Sequence, residues 1–306
     1  MITRRTFLKR FGQLCLGGLA LGGYSVAIEP MRLRVQSYDL IPSRWPSGLK
    51  LKVAALADIH ACRPWMSPAR IRYIVEQTNA LEPDIIVMLG DYTNGHHWVT
   101  SQVHAKDWSK ALAGLSARLG VHAIIGNHDW WVDGAAQRRG SGPVFAHVTL
   151  EDVGIPVYEN NAVRLQKDKK PFWLAGLGDQ LALVPHRSYG RTHWQGADDL
   201  NGTLAQITDD APVILMAHEP DIFAVVPDRV SLTLAGHTHG GQVRMLGYSP
   251  VVPSRYQNRY AYGHIVEHDR DMGDLHRHMI VSGGLGNSIL PIRFGVPPEI
   301  VLLNLG

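Results

Sequence analysis

The sequence predicts an α/β fold with two β-sheets in one domain, and three observations predict it. Strand-like and helix-like segments alternate through the first half, strand-like segments dominate the second half, and no linker, repeat or low-complexity tract divides them. The chain has 306 residues, 45% of them hydrophobic and 19% charged, enough to bury one substantial core.

The elements follow in order. "LKLKVAALA", from Leu49 toward Asp58, reads as a buried strand. "SPARIRYIVEQTNAL" reads as a helix, with Ser67 as cap, Pro68 in the first turn, and Ile71, Ile74, Val75 and Leu81 at near-helical spacing. The cycle repeats: "DIIVMLGD" is strand-like, "VHAKDWSKALAGLSARLG" helical and "VHAIIGNHD" strand-like again. Alternation of this kind implies parallel strands joined by right-handed crossovers. Further on, "NAVRLQ", "PFWLAGLGD", "PVILMAHEP", "VSLTLAGHTHGG", "HMIVSGG" and "EIVLLNL" read as strands with fewer helices between them, which implies a mixed second sheet.

The first 27 residues stand apart. "TRRTFLKRFGQLCLGGLALGGYSVA" has a basic start, a glycine-diluted apolar stretch and a small-x-small ending at Ser25 and Ala27, the pattern of an export signal. Its "TRRTFLK" core resembles the twin-arginine consensus, with Arg4 and Arg5 carrying recognition. That implies the twin-arginine export machinery as a partner and the periplasm or cell envelope as destination. Phe11 to Ile28 is also of borderline spanning length, so an uncleaved membrane anchor is the alternative; its glycines and Gln13 weaken it. Cys15 follows the large Leu14 and does not read as a lipidation site. Without residues 1 to 27, Cys62 is the only cysteine and no intramolecular disulfide can form. The leader also carries Arg4, Arg5, Lys9 and Arg10 and no acid, so the formal charge of +3 belongs to it and the remainder stands at −1. Net charge therefore gives no argument for nucleic-acid binding. The expected organisation is a signal peptide over 1–27, a lead-in segment over 28–48 and one domain over 49–306.

In open α/β sheets, reactive groups gather beyond the carboxyl ends of strands. Five strand ends here finish in metal-competent side chains: "ADIH" with Asp58 and His60, "LGD" with Asp91, "GNHD" with Asn127, His128 and Asp129, "MAHEP" with His218, and "AGHTHGG" with His237 and His239. Each alone is weak, since a Gly-Asp pair is commonly turn chemistry. The set is specific, because chance would have to end five separate strands in oxygen and nitrogen donors. Asp58 and His60 lie two apart, as do His237 and His239, so an extended chain sends both members of each pair from one face. Two such pairs facing one another can hold two cations, with the two oxygens of Asp91 bridging them.

The ordered set D-x-H, GD, GNHD, H and GHTH resembles the calcineurin-like metallophosphoesterase superfamily over most of residues 50 to 306. It is most similar to exported or membrane-associated bacterial phosphodiesterases of the YkuE/YaeI type, which the ending "GGLGNSILPIRFGVPPEIVLLNL" also resembles. The resemblance implies a four-layer αββα fold: two mixed sheets packed as a sandwich and flanked by helices. It implies one metal bound by Asp58, His60, Asp91 and His239, and another by Asp91, Asn127, His218 and His237. It further implies hydrolysis of a phosphodiester, pyrophosphate or monoester by a metal-bridging hydroxide. His128 would stand at the leaving-group oxygen and Asp129 would orient His128. With nitrogen and oxygen ligands and no thiolate, Mn, Zn and Fe all fit the two divalent metal ions.

Around this set, one of Trp130 and Trp131 is expected in the core and the other in a leaving-group pocket. His96, His97 and Trp98 are expected on the rim, and Cys62 has no ligand role by the resemblance. His122, His147, His186, His193, His264, His268, His276 and His278 are expected to be solvent-facing or structurally bonded. Arg244, Arg255, Arg259 and Arg293 read as surface groups or phosphate contacts. "GGLGNS" is not a dinucleotide loop, because "PIRFGVPPE" follows where a helix is required. The expected substrate is a phosphoester of the envelope or a lipid-linked one. One rival is a UDP-2,3-diacylglucosamine-type pyrophosphatase of lipid A synthesis; the leader argues against it, because such substrates are cytoplasmic. Another is a non-catalytic metal-bound envelope scaffold, against which intact His128 argues.

Overall fold

The computed structural model describes residues 3–268 and 276–306. Among them the strands are β1 (Arg34–Leu40), β2 (Leu51–Leu56), β3 (Cys62–Arg63), β4 (Ile85–Leu89), β5 (Ser101–Gln102), β6 (Val121–Ile124), β7 (Asn161–Lys167), β8 (Lys170–Gly176), β9 (Val213–Met216), β10 (Leu232–Ala235), β11 (Gly263–His268), β12 (His276–Val281) and β13 (Glu299–Leu305). The α-helices are α1 (Arg4–Gly23), α2 (Pro68–Ala80), α3 (Ala105–Leu112), α4 (Asn127–Trp131), α5 (Gly134–Arg139), α6 (Phe145–Glu151) and α7 (Leu200–Leu204).

β2 is buried at every residue but Lys52, and β4 at every residue, as suits strands covered on both faces. They stand inside a five-stranded sheet of order β1-β13-β2-β4-β6, parallel except where β13 meets β2. The second sheet has the order β11-β12-β10-β9-β8-β7, parallel in its middle and antiparallel at both edges. Alternate residues sort into layers. Val53 and Ala55 share a core with Phe172, Leu174, Ile214 and Leu234 of the second sheet. Ala54 and Leu56 share another with Ile71 and Ile74 of α2 and Trp108 of α3. On the far side, Val213, Leu215 and Trp173 pack with Phe223, Leu200 and Leu204. The layers run helix, sheet, sheet, helix, the arrangement the family resemblance implies.

Several boundaries differ from the sequence reading. The helix expected across 103–120 is only α3, which ends where Gly114 enters. β6 stops at Ile124 and Asn127 opens α4, so "GNHD" is a strand-to-helix turn. β1 lies within the stretch read as a lead-in and pairs with β13 along seven residues, with Glu29 and Pro30 buried ahead of it. Its residues alternate between partly and fully exposed, as on an edge, which explains why no apolar run announces it.

All of α1 is exposed. By length and composition, Arg4–Met31 is long and apolar enough to cross a membrane, with a mean hydropathy of 1.4. The residues behind α1 dock on the domain. Val26 O accepts the Trp65 indole N–H at 2.9 Å, Ser25 O accepts the Arg293 main-chain N–H at 2.9 Å, and Tyr24 meets Phe294 edge-on.

Candidate metal centre

The five strand ends converge. On one side, His60 Nε2 lies 3.1 Å from His239 Nε2 and 3.4 Å from Asp91 Oδ2, and His239 Nε2 lies 3.5 Å from Asp58 Oδ1. On the other, the same Asp91 Oδ2 lies 3.2 Å from His218 Nε2. Asn127 Oδ1 lies 3.1 Å from His218 Nε2 and 2.8 Å from His237 Nδ1. All seven side chains expected from the sequence are thus brought together; His237 is half-buried and the others are buried.

What aims them is not strand periodicity. β2 ends before Asp58 is reached, and β10 before His237. Asp58 (φ 54°), His60 (φ 45°), Asp91 (φ 59°), His237 (φ 67°) and His239 (φ 51°) all hold left-handed backbone. That conformation costs a non-glycine residue on the order of 1 kcal/mol, and Asp and His are enriched among those that adopt it. Gly90, at φ 93°, permits the packing between the two sides: a Cβ there would lie 2.6 Å from Gly126 N and 2.8 Å from His218 Nδ1.

The donor set fits divalent cations. His60 Nδ1 donates to Thr93 O at 2.8 Å and His218 Nδ1 to Leu89 O at 2.6 Å, which turns each Nε2 toward Asp91. Asn127 Nδ2 is buried without a partner. Ligand atoms lie within 4.8 Å of one another in four groups: Asp58, His60 and His239; Asp58, Asp91 and His218; His60, Asp91 and His128; and His218, Glu219 and His237. Oxygen and imidazole donors without thiolate suit Zn, Mn or Fe.

Burial pushes the Asp58 carboxyl up to about 7, with the Asp91 charge adding to it and His218 opposing. Burial takes the His60 and His237 imidazoles down to about 3, so both stay neutral. Burial also lowers His218, but Asp91 outweighs it and holds His218 well above its ordinary value. Asp91, against its own burial, is held well below its ordinary value by His218 and His128. The metal-free centre therefore carries protons that a cation displaces.

His128 lies edge-on to His60 at 4.9 Å between ring centres and tilted against Trp131 at 4.9 Å, with Nε2 3.2 Å from Ser288 Oγ. The expected contact from Asp129 to the His128 ring is not made. Asp129 is the third residue of α4 and reaches back over the start of its own helix. Its carboxylate accepts the main-chain N–H groups of Asp91, Tyr92 and Thr93 at 3.0 Å each and of Gly126 at 3.2 Å. It ties the Asp91 loop to the α4 turn.

Trp130 joins the core and Trp131 lines a cleft beside His128. Cys62 is buried, its Sγ 4.0 Å from His96 Nε2, and burial raises the thiol. His122 bonds Tyr158 and Leu119 O, His147 bonds Glu159, and His264 stacks on His278, all structural contacts. Arg293 departs from expectation, being fully buried with Nη2 3.2 Å from His239 Nδ1. Ser288 and Arg293 carry no spacing signal in the sequence. Their loop reaches the site because β12 lies beside β10.

Comparison with known proteins agrees with this geometry. Residues 51–241 match the calcineurin-like phosphoesterase family. The chain is 29% identical to the metallophosphoesterase YkuE of Bacillus subtilis over 99% of its own length and 98% of that protein's. It is 27% identical to the phosphodiesterase YaeI of Escherichia coli over the whole of both. A "transmembrane protein with metallophosphoesterase domain" of Danio rerio is 28% identical over 74% of this chain and 48% of that protein. The family profile spans well over half of the sequence and takes in all seven converging side chains, so this chain belongs to the calcineurin-like phosphoesterase family, metal-dependent hydrolases of phosphoric esters that work through a binuclear divalent metal centre.

Proposed function

We propose that this chain is an exported phosphodiesterase that binds one divalent cation through Asp58, His60, Asp91 and His239 and a second through Asp91, Asn127, His218 and His237. One observation carries the reading. Asp91 Oδ2 lies 3.4 Å from His60 Nε2 and 3.2 Å from His218 Nε2, so one carboxylate oxygen serves both clusters. Bound cations supply an activated water and offset the charge that gathers on the phosphoryl group. The side chains do the rest. Asn127 offers a neutral oxygen that adds no further negative charge. His128 faces the ester; burial lowers its pKa, so its imidazolium form is the stronger acid and gives its ring proton to the departing oxygen, leaving the neutral imidazole. Asp91 Oδ1 accepts the His128 main-chain N–H at 2.8 Å, and Asp129 fixes the loop beneath; Asp129 thus acts on His128 through the backbone.

The name of the Escherichia coli relative supports diester over monoester chemistry. Arg4 and Arg5 open an apolar helix none of whose residues is buried, which supports a twin-arginine signal over 1–27, with a lead-in over 28–48 and a phosphoesterase domain over 49–306. The destination is the periplasm or cell envelope, and the substrate a phosphodiester found there. Folding before export favours Mn or Fe loaded inside the cell over Zn, and metal analysis of the exported fraction reads this directly.

The decisive experiment pairs two variants. Asp91→Ala should lose metal from both sides together with turnover of an aryl phosphodiester. His128→Ala should keep both metals and lose about 10² to 10⁴ in kcat. An Asp91→Ala protein that kept two metals and full turnover would sink the reading.

A further inference from the structure

A cleft of about 710 Å³ opens beside His128. His128 lines it together with Thr93, whose carbonyl holds His60 at 2.8 Å. Trp108, Trp131, Val132 and Phe145 form an apolar body. Trp131 is held there by its indole N–H on Leu181 O at 2.8 Å and by Trp194 at 5.0 Å. Val132 and Phe145 are 52% and 37% exposed, so a ligand in the cleft can reach both. Among the fourteen described residues that line the cleft, none is Asp, Glu, Lys or Arg, and the titratable ones are His96, His97, His104 and His128.

We propose that this cleft is the leaving-group subsite and that it takes an uncharged alcohol with an apolar body. The inference rests on the phosphodiesterase reading, because it places the departing oxygen at His128. As the phosphorus–oxygen bond to water forms, the bond to the alcohol breaks, and the alcohol leaves into the cleft with the proton from His128. The volume falls in the range that buries most of a ligand of several hundred daltons. Charge decides the class. A phosphate or carboxylate on the alcohol would meet no permanent cation, only imidazoles and the neutral groups of Thr93, Asn94 and Gln102, and an ammonium would meet no carboxylate. A long-chain acylglycerol and an aromatic alcohol share the required chemistry, and the test separates them.

The metal-loaded full chain is given methyl phosphodiesters whose leaving alcohol is 4-phenylbutanol, a dodecanoyl glycerol, or a butanediol carrying a terminal phosphate. The wild-type protein should favour an apolar alcohol over the phosphorylated one by more than about tenfold in kcat/KM, and Phe145→Lys should cut that ratio by about tenfold. The better of the two apolar substrates identifies the occupant as acyl or aromatic. Val132→Lys makes the same change from a second position should Phe145→Lys not fold. An identical ratio in wild-type and variant proteins would overturn the proposal. Binding of 4-phenylbutanol and of the acylglycerol, followed by tryptophan fluorescence, separates the two readings. If no ester is turned over, the phosphodiesterase reading fails. Saturable quenching that the variant loses still keeps the subsite, and no quenching by either alcohol removes it.

Discussion

Arg293 Nη2 lies 3.2 Å from His239 Nδ1. A guanidinium only donates, so with Nδ1 accepting in the metal-free protein the one imidazole proton sits on Nε2, toward Asp58 and His60; ligation of a cation through Nε2 would require that proton on Nδ1 instead. The other guanidinium nitrogens bond Gly283 O and Val296 O at 2.9 Å, and Gly286 O and Asn287 Oδ1 at 3.1 Å. One buried side chain thus fixes a ligand ring and the loop beneath it. Arg293→Lys keeps the charge and loses the fork, so affinity for the cation on the Asp58 side should fall about 10- to 100-fold. Metal titration checks this, and unchanged affinity would mean the ring is held by other contacts.

Asp129→Asn tests the knot between the Asp91 loop and α4. The amide has one oxygen, and its NH₂ would face main-chain N–H groups that the carboxylate now satisfies. The metal-free protein should lose about 3 kcal/mol in denaturant unfolding. If Asp129 served only to orient the His128 ring, kcat would drop with stability intact.

Metal affinity should climb with pH, about tenfold per unit for each displaced proton below about pH 7. The sign follows from the groups. Asp58 is raised to about 7, so below that pH a proton and a cation compete for the same oxygens. His60 and His237, near 3, are already neutral and release nothing. His218, held up by Asp91, adds a second proton that persists to higher pH. Calorimetry in buffers of different ionisation enthalpy counts these protons; affinity that stays flat between about pH 5.5 and 7.5 contradicts the assignment.

Ser288 Oγ, 3.2 Å from His128 Nε2, is a positioning group for the proposed acid. Ser288→Ala should lower kcat by a factor of about ten or less and move the pH limb that reports His128, leaving KM nearly unchanged. A shift in KM alone would assign Ser288 to substrate binding instead.

The layered fold was legible because strands such as "IIVML" are covered on both faces and read as unbroken apolar runs. β1 was not, since an edge strand with half-exposed residues writes no such run. The seven converging side chains were legible for the same reason: each follows a clear strand. The manner of their convergence was hidden. Asp58 and His60 were expected to share a strand face, and they share a site through left-handed turns that no spacing rule encodes. Asp129 was marked by its neighbours in "GNHD", yet a helix start bends it away from His128. Arg293 was hidden most completely. A surface arginine and one buried under the centre look alike in sequence, and only the proximity of β12 to β10 distinguishes them.

The docking of residues 24 to 26 bears on maturation. A peptidase cutting after Ala27 would carry off the carbonyls of Ser25 and Val26, so that the Arg293 amide and the Trp65 indole turn to water instead. The precursor and the trimmed protein would then differ on the underside of the loop that carries Ser288 and Arg293. If residues 1–27 are cut away as proposed, the contact that their end makes with the loop placing Arg293 beside His239 is lost with them.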